Sequence, residues 1–358
     1  MQQVEIEKER LRAIEEPLLK WFQENKRSLM WRDDPTPYHV WVSEIMLQQT
    51  RVEAVKGYYV RFLKELPDVF ALANATEEEL LKLWEGLGYY NRVRNMQKAA
   101  RTIVEQYQGK IPDCYEELIG LCGIGSYTAG AIASIAYGQR VPAVDGNVFR
   151  VLTRICADDT DIMLPAFRKN LETVLQEVMS ENFPGMYNQA LMELGAIVCV
   201  PNGPAKCTEC PLNQLCRAYE LDRVYDYPVK SPKRDRTVEE KTVFLIQDGS
   251  YAVLHKRPDQ GLLAGLYEFV NTKGHLDETD AIAFLQREGF DPLFIERQSD
   301  ARHIFTHKEW LMRVYLVKIA EQIEIPKKYV YATSAQMKTY YPVPSAFRAV
   351  KELIGDRF

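Results

Sequence analysis

Leu121-Cys-Gly-Ile-Gly-Ser-Tyr-Thr-Ala129 is the stretch on which the fold turns. Two glycines two residues apart allow a tight turn, with one helical pattern before it and another, Ser126 to Tyr137, after it. The second helix is rich in Ala, Gly and Ser, so a neighbour can pack closely against it. Backbone N–H groups of such a turn, at the start of a helix, can hold a phosphate without any side-chain charge. Taken alone the turn is better read as a plain helix-to-helix connector. Twenty residues on, Val144-Asp-Gly-Asn147 precedes a further helical run, Val148-Phe-Arg-Val151. An Asp or Asn in that place is also an ordinary helix cap.

Outward from this hairpin the pattern stays helical up to about residue 225. Trp41, Val42, Ile45, Met46 and Val52 recur at helical spacing, and Asp113-Cys-Tyr-Glu116 after Pro112 reads as a capping box. These features predict an all-α domain of many short helices over 1–225. Residues 226–237 hold Pro228, Ser231, Pro232 and four basic residues, and read as a linker. Beyond it the period becomes two. Thr242–Ile246 and Tyr251–Leu254 about Asp248-Gly249 predict a β-hairpin, and Trp310–Val317 predicts a strand burying Trp310, Met312, Val314 and Leu316. With helical stretches at Glu278–Glu288 and Ser345–Ile354, residues 238–358 form a separate α+β domain. The length of 358 residues suits two domains.

Hydrophobic residues make up 46 % of the chain, too many for disorder. No apolar run reaches the ~18 residues of a transmembrane helix, and Met1–Lys20 is charged and amphipathic, unlike a secretory signal. A cytoplasmic location without a membrane partner is expected. The net charge of −5 argues mildly against nucleic acid, but Arg92, Arg94, Lys98, Arg101 and Lys110 face only Glu105 between Gly86 and Lys110.

Of seven cysteines, Cys114, Cys122 and Cys156 are scattered, while the rest follow the spacing Cys199-x7-Cys207-x2-Cys210-x5-Cys216. Four thiols that close in a cytosolic chain point to metal. Zinc and an iron–sulfur cluster are both candidates. A zinc ribbon usually pairs two CxxC knuckles, and the single one here favours a cubane cluster.

The chain resembles the helix-hairpin-helix DNA glycosylases that carry an iron–sulfur cluster, and within them the branch that removes adenine mispaired with 8-oxoguanine. The resemblance rests on Trp41-Val-Ser-Glu-Ile-Met-Leu-Gln-Gln-Thr50, Gly86-Leu-Gly-Tyr-Tyr90, the glycine hairpin, Val144–Asn147, the four cysteines and Phe305-Thr-His307. Two positions depart from the family pattern: seven residues, against the usual six, separate the first two cysteines, and Thr306 stands where serine is usual.

The resemblance implies that Glu44 protonates the adenine and that Asp145 stabilises the cationic sugar, either electrostatically or through a transient covalent adduct, the acid-plus-carboxylate pair that glycosidic cleavage calls for. Tyr127 and Asn147 would stand beside them, with Arg27, Trp31 and Gln189 lining the adenine pocket. Gln49, Thr50, Leu87, Gly88 and Tyr89 would contact 8-oxoguanine or fill the gap in the stack, Phe305, Thr306 and His307 would read 8-oxoguanine, and Gly123 and Gly125 would meet the DNA backbone. Cys199, Cys207, Cys210 and Cys216 would hold a 4Fe-4S cluster. Tyr127 occupies the position of the lysine that gives bifunctional relatives their lyase step. The implied protein is thus a monofunctional, monomeric glycosylase of duplex DNA, working at a bacterial nucleoid.

The second domain resembles the Nudix fold in Gly261-Leu-Leu-Ala-Gly-Leu-Tyr-Glu-Phe269, but the glutamate-rich magnesium helix does not follow. A recognition domain is therefore expected, not a nucleotide hydrolase. The remaining alternatives are an endonuclease III-like glycosylase-lyase and a non-catalytic damage binder; the pairing of Glu44 with Asp145 speaks against the latter.

Overall fold

The computed structural model describes residues 8–232, 235–319 and 326–354. The first seven residues of the amphipathic N-terminal stretch, and residues 233–234 of the linker, lie outside them. The chain forms two compact units, one of residues 1–74 and 95–232, the other of residues 75–94 and 233–358.

Among its described residues the first unit is helical throughout. Its core is built where three amphipathic helices meet. Gly146–Cys156 buries Val148, Val151, Leu152 and Ile155 at spacings of three and four, against Tyr187, Leu191 and Leu194 of Pro184–Ile197 and Leu18, Leu19 and Phe22 of Glu15–Asn25. Pro165 and Pro184 each open a helix at the position where proline's missing N–H costs nothing.

The hairpin of Leu121–Gly125 turns as expected. Gly123 has φ +78°, and a Cβ there would lie 2.6 Å from that of Asn95, so only glycine fits. The following helix, Ser126–Ala131, runs on into a π-helical turn, Ile132–Ala136, which the sequence pattern did not show. Close packing against this helix takes a definite form: a Cβ on Gly130 would lie 2.2 Å from the carbonyl oxygen of Pro142. The buried amide of Asn188 fastens the same strip, donating to Ser134 Oγ and Val141 O (both 2.8 Å) and accepting from Ala143 N (3.1 Å). The segment leading to Asp145 is thereby pressed onto the helix that carries Tyr127. The capping box expected at Asp113–Glu116 does not form. The helix begins later, at Tyr115, with Cys114 as its cap residue, and the Cys114 thiol donates to Glu116 at 2.8 Å.

The second unit contains a seven-stranded mixed sheet. Its strands are β1 (Thr237–Asp248), β2 (Tyr251–Lys256), β3 (Tyr267–Lys273), β4 (Pro292–Arg297), β5 (Ala301–Ile304), β6 (Lys308–Ile319) and β7 (Tyr329–Ala332). The order is β4-β6-β1-β3-β2-β7, with β5 against β6, and among the described residues only β1 and β6 pair in parallel. The expected hairpin joins β1 to β2, Asp248 facing Tyr251 around Gly249 at φ +56°. Strand β6 buries both faces. Trp310, Met312 and Val314 pack with Phe347 and Val350, while Tyr315, Val317 and Ile319 pack with Ala281, Leu285 and Phe290. Helices Arg348–Ile354 and Glu278–Arg287 cover these two faces.

Residues 75–94 group with this sheet. Helix Glu77–Leu83, opened by a Thr76–Glu79 capping box, buries Leu80 and Leu81. Glu78 receives Lys256 Nζ at 3.0 Å, and Glu85 receives Val343 N at 3.3 Å and Lys351 Nζ at 3.1 Å. Among the described residues no helix is long and apolar enough to cross a membrane.

Candidate active site

A cavity of about 580 Å³ opens in the first unit, lined by residues from six separate stretches of chain. It collects Arg27, Trp31, Glu44, Gln49, Thr50, Tyr127, Asp145, Asn147 and Gln189, all singled out from the sequence.

Glu44 lies on helix Pro37–Leu47 and is only 7 % exposed. The Tyr127 hydroxyl donates to its Oε2, which leaves Oε1 to carry a proton. Burial pushes the Glu44 carboxyl up to about 7, helped by the charge of Asp145 and opposed by the Tyr127 bond and by Arg32. Burial also pushes the Tyr127 phenol well above its ordinary range, so it remains an O–H donor.

Asp145 caps helix Gly146–Cys156. Its Oδ1 accepts from Asn147 N (2.9 Å) and Val148 N (2.8 Å), and its Oδ2 from Asn147 Nδ2 (2.7 Å). Burial raises its carboxyl, against these hydrogen bonds and the charge of Arg150, which itself donates to Asn147 Oδ1 at 2.7 Å. One carboxyl is thus in a setting that favours the acid, while the other is wrapped in donors that favour the anion.

The cavity's other wall is an ion-pair network. Glu193, 1 % exposed, accepts from Arg27 N (2.9 Å), Nε (2.8 Å) and Nη2 (2.9 Å) and from Arg32 Nη2 (2.8 Å). Burial alone would raise its carboxyl, but the two arginines outweigh burial and hold it at about 2. Arg32 Nε reaches Gln189 Oε1 at 3.2 Å, and Trp31 meets Tyr59 edge-on at 5.5 Å. Gln49 stands at φ +58°, a strained conformation for a non-glycine residue, on the cavity's rim.

Cys199, Cys207, Cys210 and Cys216 line a separate small cavity with Arg154 and Lys206, and all four are free thiols. Arg154 Nη1 lies 3.2 Å from Cys199 Sγ. Burial pushes the Cys210 thiol up to about 12, so holding it as a thiolate calls for a cation. Among the described residues no three His, Cys, Asp or Glu side chains converge closely enough to grip a single ion.

Gly123 and Gly125 lie in the first unit, and the predicted contacts Leu87, Gly88, Tyr89, Phe305, Thr306 and His307 in the second. Tyr89 is 48 % exposed at φ +49°, whereas Tyr90 and Leu87 are buried. Arg92 shapes this turn, donating to Leu87 O (3.2 Å) and Gly88 O (3.1 Å), with its guanidinium 5.6 Å from the Tyr89 ring centre. Thr306 and His307 are exposed on the turn between β5 and β6, with Phe305 tucked edge-on against Trp310 at 4.8 Å. The Tyr89 and Thr306 hydroxyls are hydrogen-bonded at 2.7 Å.

Residues 42–177 match the HhH-GPD superfamily of base excision DNA repair proteins, and residues 242–353 the NUDIX domain. The chain is 35 % identical to the adenine DNA glycosylase of Mus musculus, over 85 % of this chain and 70 % of that protein. It is 32 % identical to the adenine DNA glycosylase of Buchnera aphidicola subsp. Baizongia pistaciae, over 81 % and 82 %. The chain belongs to the adenine DNA glycosylase family. A thermostable thymine-DNA glycosylase shares the fold of its helical part, with TM-score 0.54 and 26 % identity over 60 % of this chain and 98 % of that one.

Within this adenine DNA glycosylase family member, the cavity also contains residues that the sequence did not single out. Arg32 stands beside Trp31 in the chain, and Glu193 one helical turn after Gln189. That i, i+4 spacing is the one signal in the sequence that pointed to Glu193. Met192, whose sulfur lies 3.5 Å from the Tyr127 hydroxyl, gave none.

Proposed function

We propose that the chain hydrolyses the N-glycosidic bond of adenine in duplex DNA, with adenine opposite 8-oxoguanine as preferred substrate and adenine opposite guanine as a second one. The observation that carries this reading is the buried Glu44–Tyr127 pair in one cavity with the helix-capping Asp145. The adenine, swung out of the stack, enters between Arg27, Trp31 and Gln189. Glu44 gives its proton to a ring nitrogen as the glycosidic bond breaks, and the bonding pair leaves with the base. The Asp145 carboxylate stabilises the cationic sugar until water adds, and Asn147 keeps that carboxylate aimed. Position 127 offers a phenol and no amine, so no Schiff base forms and the strand stays intact.

Reading of the opposite base falls to Gln49, Thr50, Leu87, Gly88, Tyr89, Phe305, Thr306 and His307, while the hairpin at Gly123 and Gly125 takes a backbone phosphate. In its bond with Tyr89 the Thr306 hydroxyl is already oriented, and a hydroxyl can both donate and accept. Oxidation of guanine adds a carbonyl oxygen and turns a ring nitrogen into a donor, and such a group can meet either change. The enzyme would act as a monomer in the cytoplasm, at the nucleoid.

Cys199, Cys207, Cys210 and Cys216, which line one small cavity, would hold a 4Fe-4S cluster, because their spacing has a single CxxC knuckle where a zinc ribbon usually pairs two. The bound cluster would take the four sulfurs as thiolate ligands and pin the 199–216 loop. Purified protein should contain roughly four iron and four sulfide per chain; stoichiometric zinc in iron-replete preparations would refute the assignment.

The deciding experiment incubates the chain with a duplex carrying adenine opposite 8-oxoguanine. Free adenine and an alkali-labile but uncut strand are expected. Spontaneous strand cleavage would favour a lyase, and tight binding without release would favour a damage binder. Thr306→Val, which keeps the shape and removes the hydroxyl, should lower the preference for 8-oxoguanine over guanine by about tenfold or less, the worth of one hydrogen bond. Unchanged discrimination would move recognition to Gln49, Thr50 and Leu87.

A further inference from the structure

Arg168 has no part in the chemistry described above, yet it lines the same cavity as Asp145. It lies on helix Pro165–Val178, and its Nη1 donates to the carbonyl oxygen of Val144, at 3.1 Å, and not to the Asp145 carboxylate. The guanidinium rests 4.6 Å from the centre of the Phe149 ring, which fixes its plane. Its side chain remains 44 % exposed, and Nε and Nη2 make no hydrogen bond among the described residues. Glu172, one turn along, stands 3.9 Å from Nη1, and its Oε1 accepts from Ser126 Oγ at 3.0 Å. Ser126 is the residue that follows the glycine hairpin.

The cation is therefore held at the rim of the cavity with a fork of donors left over. It is tied through Glu172 to the start of the hairpin helix, and through Val144 to the residue before Asp145. We propose that Arg168 is a phosphate-binding residue, gripping the phosphodiester next to the extruded nucleotide and keeping that strand in register with the hairpin. The proposal deepens the glycosylase reading and rests on it for the identity of the strand. Its chemistry is general: a planar guanidinium with two parallel free N–H groups matches two phosphate oxygens, and a nucleotide that leaves the stack must carry its flanking phosphates over the rim.

The test measures equilibrium binding of the full, cluster-containing chain to a duplex with 2′-fluoro-2′-deoxyadenosine opposite 8-oxoguanine, an uncleavable substrate analogue, across a series of KCl concentrations. One lost phosphate contact lowers the slope of log K against log salt by about 0.9. Arg168→Gln should show that loss together with weaker binding at low salt, and Arg168→Lys should recover most of the slope because it restores the charge. A slope in Arg168→Gln equal to that of the natural chain overturns the proposal. In that case any fall in single-turnover adenine release would mark Arg168 as a brace for the Val144 carbonyl. If the natural chain showed no preference for this duplex over a fully paired one, the glycosylase reading would fail instead, and the slope comparison would still report on Arg168.

Discussion

Glu44→Gln should bind substrate duplex about as well as the natural chain and release adenine roughly 10²- to 10⁴-fold more slowly in a single-turnover assay, since an amide cannot supply the proton. The loss will not be one of folding. Burial raises the carboxyl to about 7 in the folded chain, against 4.5 for a free side chain. Ionising it therefore opposes folding, and stability due to Glu44 is complete below pH about 4.5 and is lost as pH rises to about 7. The amide carries no such penalty and can still accept from Tyr127. Thermal unfolding at pH 8 should accordingly find Glu44→Gln at least as stable as the natural chain. The same direction governs activity: single-turnover release by the natural chain should fall as pH rises through about 7, where Glu44 loses its proton. A variant that keeps more than about a tenth of the natural rate would remove Glu44 from the acid role.

Asp145→Asn is expected to slow adenine release by about 10²- to 10³-fold, the usual cost of deleting one preorganised electrostatic contact to the transition state. Asparagine caps helices as well as aspartate does, and its oxygen can still accept from the N–H groups of Asn147 and Val148. Melting temperature should therefore move little. This separates the two roles of the residue: a rate within threefold of natural, with an unchanged melting temperature, would leave Asp145 as a cap and nothing more.

What could be read in advance follows from how local each signal is. The Asp145 cap, the hairpin glycines and the β1–β2 turn are written in a few consecutive residues, and the structure places them as expected. The pairing of Glu44 with Tyr127 came from family resemblance, because 83 positions separate them and neither stands out alone. Glu193 is hidden in the sequence for a related reason. A glutamate on a helix is usually a solvated charge, and only the fold shows that this one is sealed beneath two arginines. The π-helical turn at Ile132–Ala136 has no composition of its own, since Ala, Ile and Ser suit a regular helix equally well. The misplaced capping box at Asp113 shows the opposite failing: a motif of the right letters, shifted from the true helix start.

The grouping of residues 75–94 with 233–358 bears on how this protein can be taken apart. A fragment cut within residues 226–237 keeps every group that lines the cavity around Glu44 and Asp145. It would also strip Glu78 of Lys256, Glu85 of Lys351, Arg94 of its carbonyl partner and Tyr89 of Thr306. Such a fragment carries a wound in its middle as well as a missing tail. Any defect it shows in choosing substrates belongs to both, and point substitutions are the cleaner scalpel.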